Sequence, residues 1–275
     1  MTGLRRLKHL CLIGLLSKVA VGITATVIFM DTKVQAQETV KKKQAKSGYD
    51  YLEKPTRRIQ DDDFANPGFF FVEAGSELWR KTVGVTEKSC AYCHGEAAKT
   101  MREAATRYPA WNSVLGRVIN LEQRINHCRV RHMKARPLTY ESDELLSLTT
   151  WVRHQSRGMP VKVDISGLAA PAFSRGKAFW FRPRGLFDVS CSQCHDDKAG
   201  LRLRAEIVSE GQTNGFPAYK LKWQKIGSSH RQFRRCNQLA RSIPYAFGSQ
   251  TYVDLELFLA WRGRGLKIET PAVRP

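Results

Sequence analysis

Two pentapeptides in this chain have types and spacing suited to one chemistry: Cys90-Ala91-Tyr92-Cys93-His94 and Cys191-Ser192-Gln193-Cys194-His195. Each is the C-x-x-C-H pattern of covalent haem c attachment. Two thiols three positions apart on one helical turn can each add to a vinyl group of one porphyrin. The adjoining histidine then faces the iron as its proximal ligand. The motifs assign Cys90, Cys93, Cys191 and Cys194 to attachment, His94 and His195 to the irons, and two covalently bound haem c groups to the chain. Paired C-x-x-C motifs also occur at zinc, but that reading leaves both adjacent histidines unexplained.

A second axial ligand must come from elsewhere. Cytochromes c commonly use a methionine after the motif. The methionines here are Met1, Met30, Met101, Met133 and Met159, and none follows His195. The second haem is left with His230, Cys236 or water from its own half. The first half offers His127, Cys128, His132, Met133 and His154.

The elements that must carry these residues repeat. Gly75 and Gly176 each stand fifteen residues before the first cysteine of a motif, and Trp79 and Trp180 each stand eleven before it. Downstream, Tyr108-Pro109-Ala110-Trp111 matches Phe216-Pro217-Ala218-Tyr219. Nineteen residues then separate Pro109 from Cys128, and nineteen separate Pro217 from Cys236. Each half closes on an apolar helical pattern, Leu145, Leu148 and Trp151 in one, Leu255, Phe258 and Trp261 in the other. A glycine follows each, Gly158 and Gly265, as suits a helix end. The expected fold is all-α: two tandem cytochrome c-like domains related by internal duplication, at 64–162 and 163–275. A linker is expected near Met159–Ala170, where Gly158, Pro160, Gly167 and Pro171 cluster.

The repeat also selects the axial ligand. His127 aligns with Arg235 and His230 with Glu122, whereas Cys128 aligns with Cys236. Cysteine is the ligand type the halves share, which points to His94/Cys128 and His195/Cys236 ligation. The competing reading is a Cys128–Cys236 disulfide, which symmetric positions after separate haems make awkward. A thiolate stabilises Fe(III) and so implies a low potential, poorly suited to shuttling between high-potential partners.

Around Cys236 the run Ser229-His230-Arg231-Gln232-Phe233-Arg234-Arg235-Cys236 places three arginines within five residues. Cations favour the thiolate, and guanidinium forks bind oxyanions through paired hydrogen bonds. A reactive sulfur beside such a clamp suits a sulfur-oxyanion substrate, with Arg231 and Arg234 the favoured arginines. The bland alternative is a basic docking patch.

The rest of the chain bounds the setting. Of its 275 residues, 45 are Lys or Arg and 25 are Asp or Glu, a formal charge of +20. That favours acidic partners or anions. Residues 1–36 read as a signal peptide: Arg5, Arg6 and Lys8, an apolar run, then the small-residue site Val34-Gln35-Ala36. The leader takes Cys11 with it, leaving six cysteines in an exported, periplasmic chain. No later stretch suits a membrane anchor. An exported haem protein gives no reason to expect a nucleic-acid partner. Residues 37–63, with Lys41-Lys42-Lys43, Arg57-Arg58 and Asp61-Asp62-Asp63, read as a charged N-terminal arm, solvated or wrapped on a partner.

On Cys90-x-x-Cys93-His94, Cys128, Cys191-x-x-Cys194-His195 and His230-Arg231-x-Phe233-Arg234-x-Cys236-Asn237, the chain resembles the dihaem A subunits of the SoxAX cytochromes of periplasmic thiosulfate oxidation. The resemblance covers nearly the whole mature chain. It implies Cys128 and Cys236 as haem ligands, Cys236 as an active-site cysteine carried as a persulfide, and a substrate-binding arginine about one turn before it. It also implies a reaction: oxidative joining of thiosulfate to a cysteine of a SoxYZ carrier, with two electrons passed through a SoxX-like cytochrome subunit to a cytochrome c acceptor. The position four before the cysteine is Gln232, so this sequence departs from the pattern where that arginine is expected. A dihaem electron carrier without sulfur transfer, or a haem-based redox sensor, are the rival functions.

Overall fold

The computed structural model describes residues 44–275; the expected signal peptide lies outside the described residues. A Ser47–Asp50 capping box opens a short turn at Gly48–Tyr51, and α1 (Lys54–Asp61) follows, with Pro55 in its first turn. This stretch was expected as part of a charged arm, solvated or wrapped on a partner; Arg58, Asp61, Asp62 and Asp63 are exposed, while other residues of the stretch pack against the chain itself. Leu52 is buried, and the buried Gln60 accepts through Oε1 from the Val273 backbone N–H at 3.0 Å and from Arg274. Ser47 bonds to Glu269, and Tyr51 donates to Glu210 at 3.2 Å. Ser47 and Gln60 thus bond to the C-terminal end of the chain, which a charge count does not reveal.

Each half contains, in the same order, a long helix, the motif helix, a strand pair, the helix with the lone cysteine and a closing helix. In the first, α2 (Phe69–Arg80) precedes the motif helix α3 (Cys90–His94) and the single turn α4 (Ala97–Thr100). The antiparallel strands β1 (Ala110–Asn112) and β2 (Arg117–Ile119) lead into α5 (Leu121–His132), which carries Cys128, and α6 (Asp143–His154) closes. In the second, α7 (Ala170–Phe181) precedes the motif helix α8 (Cys191–His195) and a two-residue hairpin, β3 (Arg202–Leu203) with β4 (Glu206–Ile207). Strands β5 (Ala218–Lys220) and β6 (Lys225–Gly227) lead into α9 (Ser229–Leu239), which carries Cys236; α10 (Gln250–Arg262) and β7 (Ala272–Arg274) end the chain. The peptide bonds before Pro109 and Pro217 are both cis.

Helices dominate, but the fold is not all-α. Seven short strands occur among the described residues, and β7 pairs in parallel with β5 to make a β6-β5-β7 sheet. The long loops expected between motif and lone cysteine are these hairpins, which pair backbone groups that would otherwise lie unbonded beneath the surface.

The repeated glycines explain the helix pairing. A Cβ on Gly75 would run into the Ser147 carbonyl oxygen, and one on Gly176 into that of Asp254. Both positions let α2 and α7 approach the backbones of α6 and α10 directly. The two halves also share a core. Trp79, Val118, Leu121 and Val152 pack in one cluster with Val253, Leu257, Ala260 and Ile268. The expected linker belongs to it: Val161 and Val163 are buried, and the Val161 N–H bonds to the Leu266 carbonyl at 2.9 Å.

A buried polar group lies where the halves meet. His230 Nε2 sits 3.2 Å from Glu256 Oε2, which also accepts from Asn120 at 3.1 Å. Tyr140 stacks on the His230 ring at 5.4 Å, and His230 Nδ1 accepts from the Gly248 N–H at 3.1 Å. Buried Glu122 and Arg153 complete the group; burial first, then the Glu256 charge, pushes Glu122 up to about 8.

Candidate active site

Both motif helices begin on a serine cap. Ser89 Oγ accepts from the Tyr92 N–H at 3.0 Å, and Ser190 Oγ from the Gln193 N–H at 3.2 Å. The cap starts the turn at the first cysteine and so places both thiols and the histidine on one short helix. A tryptophan backs each histidine. Trp79 lies 5.8 Å from the His94 ring and donates to the Gly95 carbonyl at 3.0 Å. Trp180 lies 5.6 Å from the His195 ring and donates to Asp196 at 2.8 Å.

At the second site the donors converge. His195 Nδ1 is 2.6 Å from the Ser209 carbonyl oxygen. A carbonyl only accepts, so Nδ1 carries the proton and Nε2 is left as the basic nitrogen, the arrangement of a metal-bound histidine. The His195 side chain lies beside the Cys236 sulfur, which brings the two expected iron ligands together. Gly211, at φ +77°, passes its backbone over the ring, where a Cβ would come within 3.3 Å of His195 Cγ. This donor set fits a haem iron held by imidazole and thiolate. The loops leading into the motifs carry exposed apolar side chains, Val85 in the first and Leu186 and Phe187 in the second.

The first site is less complete. Cys128 lies near Cys90 and Cys93, and His94 near Arg124 and His132. Among the described residues all six cysteines are free, and each lone cysteine lies with its own motif rather than bridging to the other. Two of the alternative nitrogen donors are engaged elsewhere. His154 packs on Phe69 at 5.4 Å and contacts the Thr270 carbonyl, and His230 belongs to the buried group at the junction.

The two lone cysteines differ electrostatically. Burial raises the Cys128 thiol, only partly offset by Arg124. Burial acts to raise Cys236 as well, but the neighbouring His195 side chain, the hydrogen bond from Gln232 and the charge of Lys220 outweigh it, so this thiol is lowered. Gln232 Nε2 donates to the Cys236 sulfur at 3.5 Å.

The arginines singled out by spacing sit elsewhere. Arg231 covers the Trp223 ring at 4.5 Å and lies 3.9 Å from Glu141. Arg234 covers Phe247 at 4.6 Å and donates to the Tyr245 carbonyl. The cations grouped beside the sulfur are others. Lys220 is buried, donates to Gln232 Oε1 at 3.3 Å, and is pushed down to about 8 by burial and then by the charge of Arg235. Lys222 and Arg235 meet at Glu206. No motif flags Lys220. Its signal is alternation in a strand that follows Phe216-Pro217, which turns Ala218 and Lys220 to the same buried face.

Residues 74–161 match the family model for the cytochrome c domain of SoxA and TsdA. The L-cysteine S-thiosulfotransferase subunit SoxA of Pseudaminobacter salicylatoxidans is 39% identical over 247 residues, 89% of this chain and 86% of that protein. SoxA of Paracoccus pantotrophus is 35% identical over 228 residues, 83% of this chain and 78% of that one. A chain in the crystal structure of SoxXA from P. pantotrophus superposes with a TM-score of 0.81 at 34% identity, covering 84% of this chain and 87% of that chain.

Proposed function

Because the chain belongs to the SoxA family of L-cysteine S-thiosulfotransferase subunits, we propose that it joins thiosulfate oxidatively to a cysteine of a SoxYZ-like carrier, with Cys236 as the working sulfur. The outer sulfur of thiosulfate and the carrier sulfur form one S–S bond; the carrier thiol loses its proton and the pair loses two electrons. Two haems, when bound, supply the acceptors that carry those electrons toward a SoxX-like subunit and a cytochrome c.

The observation that carries this reading is the convergence on Cys236: Gln232 donates to its sulfur, and the His195 side chain and a buried lysine lie beside it. A sulfur favoured as thiolate is the competent partner for exchange, because the thiolate is the nucleophile. His195 is oriented for this by Ser209. Cys128 lacks such partners, so the second site does the sulfur chemistry and the first serves electron transfer. His94 with Cys128 and His195 with Cys236 would hold the irons, and Cys90/Cys93 and Cys191/Cys194 would attach the haems. The matching order of elements supports descent by internal duplication, with halves at 64–162 and 163–275 and a charged segment at 37–63. Cleavage after Ala36 would release the chain to the periplasm. Among the described residues no helix is long and apolar enough to cross a membrane.

The test is a purified exported complex given thiosulfate, carrier and oxidised cytochrome c. Acceptor reduction together with a carrier mass gain of one thiosulfate group is expected. Intact haems with no carrier modification would leave a dihaem electron carrier.

A further inference from the structure

The thiosulfate anion needs a holder, and the spacing-favoured arginines do not provide one. At about 100° per residue, Arg231 and Arg234 lie about 140° and 160° around α9 from Cys236, whereas Gln232 lies about 40° from it. Both arginines are committed to aromatic faces and to Glu141 or the Tyr245 carbonyl.

We propose that Lys220, with Lys222 and Arg235, forms the oxyanion-binding cage of the second site, and that the Glu206 carboxylate fills this cage until thiosulfate displaces it. The inference rests on Cys236 being the sulfur that meets thiosulfate. Lys220 sits on the central strand of the β6-β5-β7 sheet, paired with Lys225 on one side and Arg274 on the other, so its backbone is held from both edges. Its side chain is only 5% exposed. An ammonium has three donors, and a buried one needs anionic or hydrogen-bonding compensation. Lys220 has one hydrogen bond, to Gln232, and reaches Glu206 Oε2 only at 3.7 Å. That Gln232 is the residue whose amide nitrogen faces the Cys236 sulfur, so the lysine and the sulfur share one neighbour.

Glu206 is the counterpart. One carboxylate meets three cations: Lys222, Arg235 at 3.3 Å and Lys220. The group keeps surplus positive charge and suits a dianion better than a single carboxylate. Glu206 stands on the two-residue strand β4 and is 31% exposed, so it can turn to water while the lysine stays in place. The sulfonate oxygens would replace its oxygens, leaving the outer sulfur free to face Cys236.

The experiment is calorimetric titration of the oxidised holoprotein with thiosulfate, carrier omitted so that no turnover occurs, with sulfate titrated in parallel. Losing a charge-assisted hydrogen bond is expected to weaken thiosulfate binding on the order of tenfold or more in Lys220→Gln, with partial recovery in Lys220→Arg. Glu206→Gln is expected to tighten binding of both anions several-fold. Haem content and circular dichroism show whether each variant folds, and Glu206→Gln tests the cage even where Lys220→Gln does not fold. Wild-type binding left unchanged by Lys220→Gln, or weakened by Glu206→Gln, overturns the cage while leaving the function standing. No thiosulfate binding by the wild type overturns the function as well.

Discussion

Gln232 and Cys236 occupy successive turns of α9, and the amide nitrogen of the first lies 3.5 Å from the sulfur of the second. This places a neutral donor where the family pattern leads one to expect an arginine. A neutral hydrogen bond contributes about 1 kcal/mol. Gln232→Leu is therefore expected to slow carrier modification about fivefold, read as kcat in the conjugation assay, with haem content unchanged. A rate equal to wild type would remove Gln232 from the site.

The close helix contacts make a stability prediction. Gly75 and Gly176 let backbone approach backbone, with Ser147 and Asp254 on the far side. Alanine at either position must push a helix outward, and overpacking of this kind costs about 1–3 kcal/mol. Denaturant unfolding of Gly75→Ala and Gly176→Ala should show losses at the upper end of that range or beyond. An unchanged midpoint would show that the helices are not held this closely.

His230 tests the ligand assignment. By residue type it was a candidate for the second iron; in the fold it pairs with Glu256 in the junction. His230→Leu leaves a buried carboxylate with reduced compensation, at a cost of about 3 kcal/mol. The optical spectrum of the folded holoprotein should not change. A changed haem spectrum would return His230 to the iron.

Glu122 gives the junction a pH dependence of known sign. Its carboxyl is held protonated in the fold up to about 8, by burial and then by Glu256, while an unfolded glutamate ionises near ~4.3. Between these values the unfolded chain has released a proton that the folded chain keeps. The contribution of Glu122 to stability is thus full in acid and falls as pH rises toward 8. Glu256, held below the ordinary carboxylate range by His230 and Asn120 against the effect of its burial, loses its contribution only as pH falls through its own lowered value. Denaturant midpoints measured across pH 5 to 8, a window of about three units, should decline with pH, and Glu122→Gln should flatten the decline.

Much of this was legible in the residues. The motifs and the paired glycine and tryptophan positions are local signals, and each appears where its spacing places it. The lone cysteines aligned by counting from Pro109 and Pro217, and Cys236 meets His195. What sequence spacing missed depends on contacts distant in the chain. Residues 44–63 hold polar side chains that read as solvated but bond to Glu269, Val273 and Arg274. The hairpins and the parallel β7 strand are too short for periodicity to reveal. Lys220 is an ordinary lysine until the sheet buries it beside Gln232. The arginines stood out because they are adjacent to Cys236 in sequence, but helix geometry turns Arg231 and Arg234 to other partners.

The most direct measurement is peptide-resolved mass spectrometry of the purified exported protein, before and after exposure to thiosulfate, with every cysteine-bearing fragment identified. Haem on the fragments carrying Cys90/Cys93 and Cys191/Cys194, and added sulfur confined to the Cys236 fragment, is the expected result. Cys236 always unmodified while the carrier still gains thiosulfate, or Cys236 bridged to Cys128, would contradict Cys236 as the working sulfur.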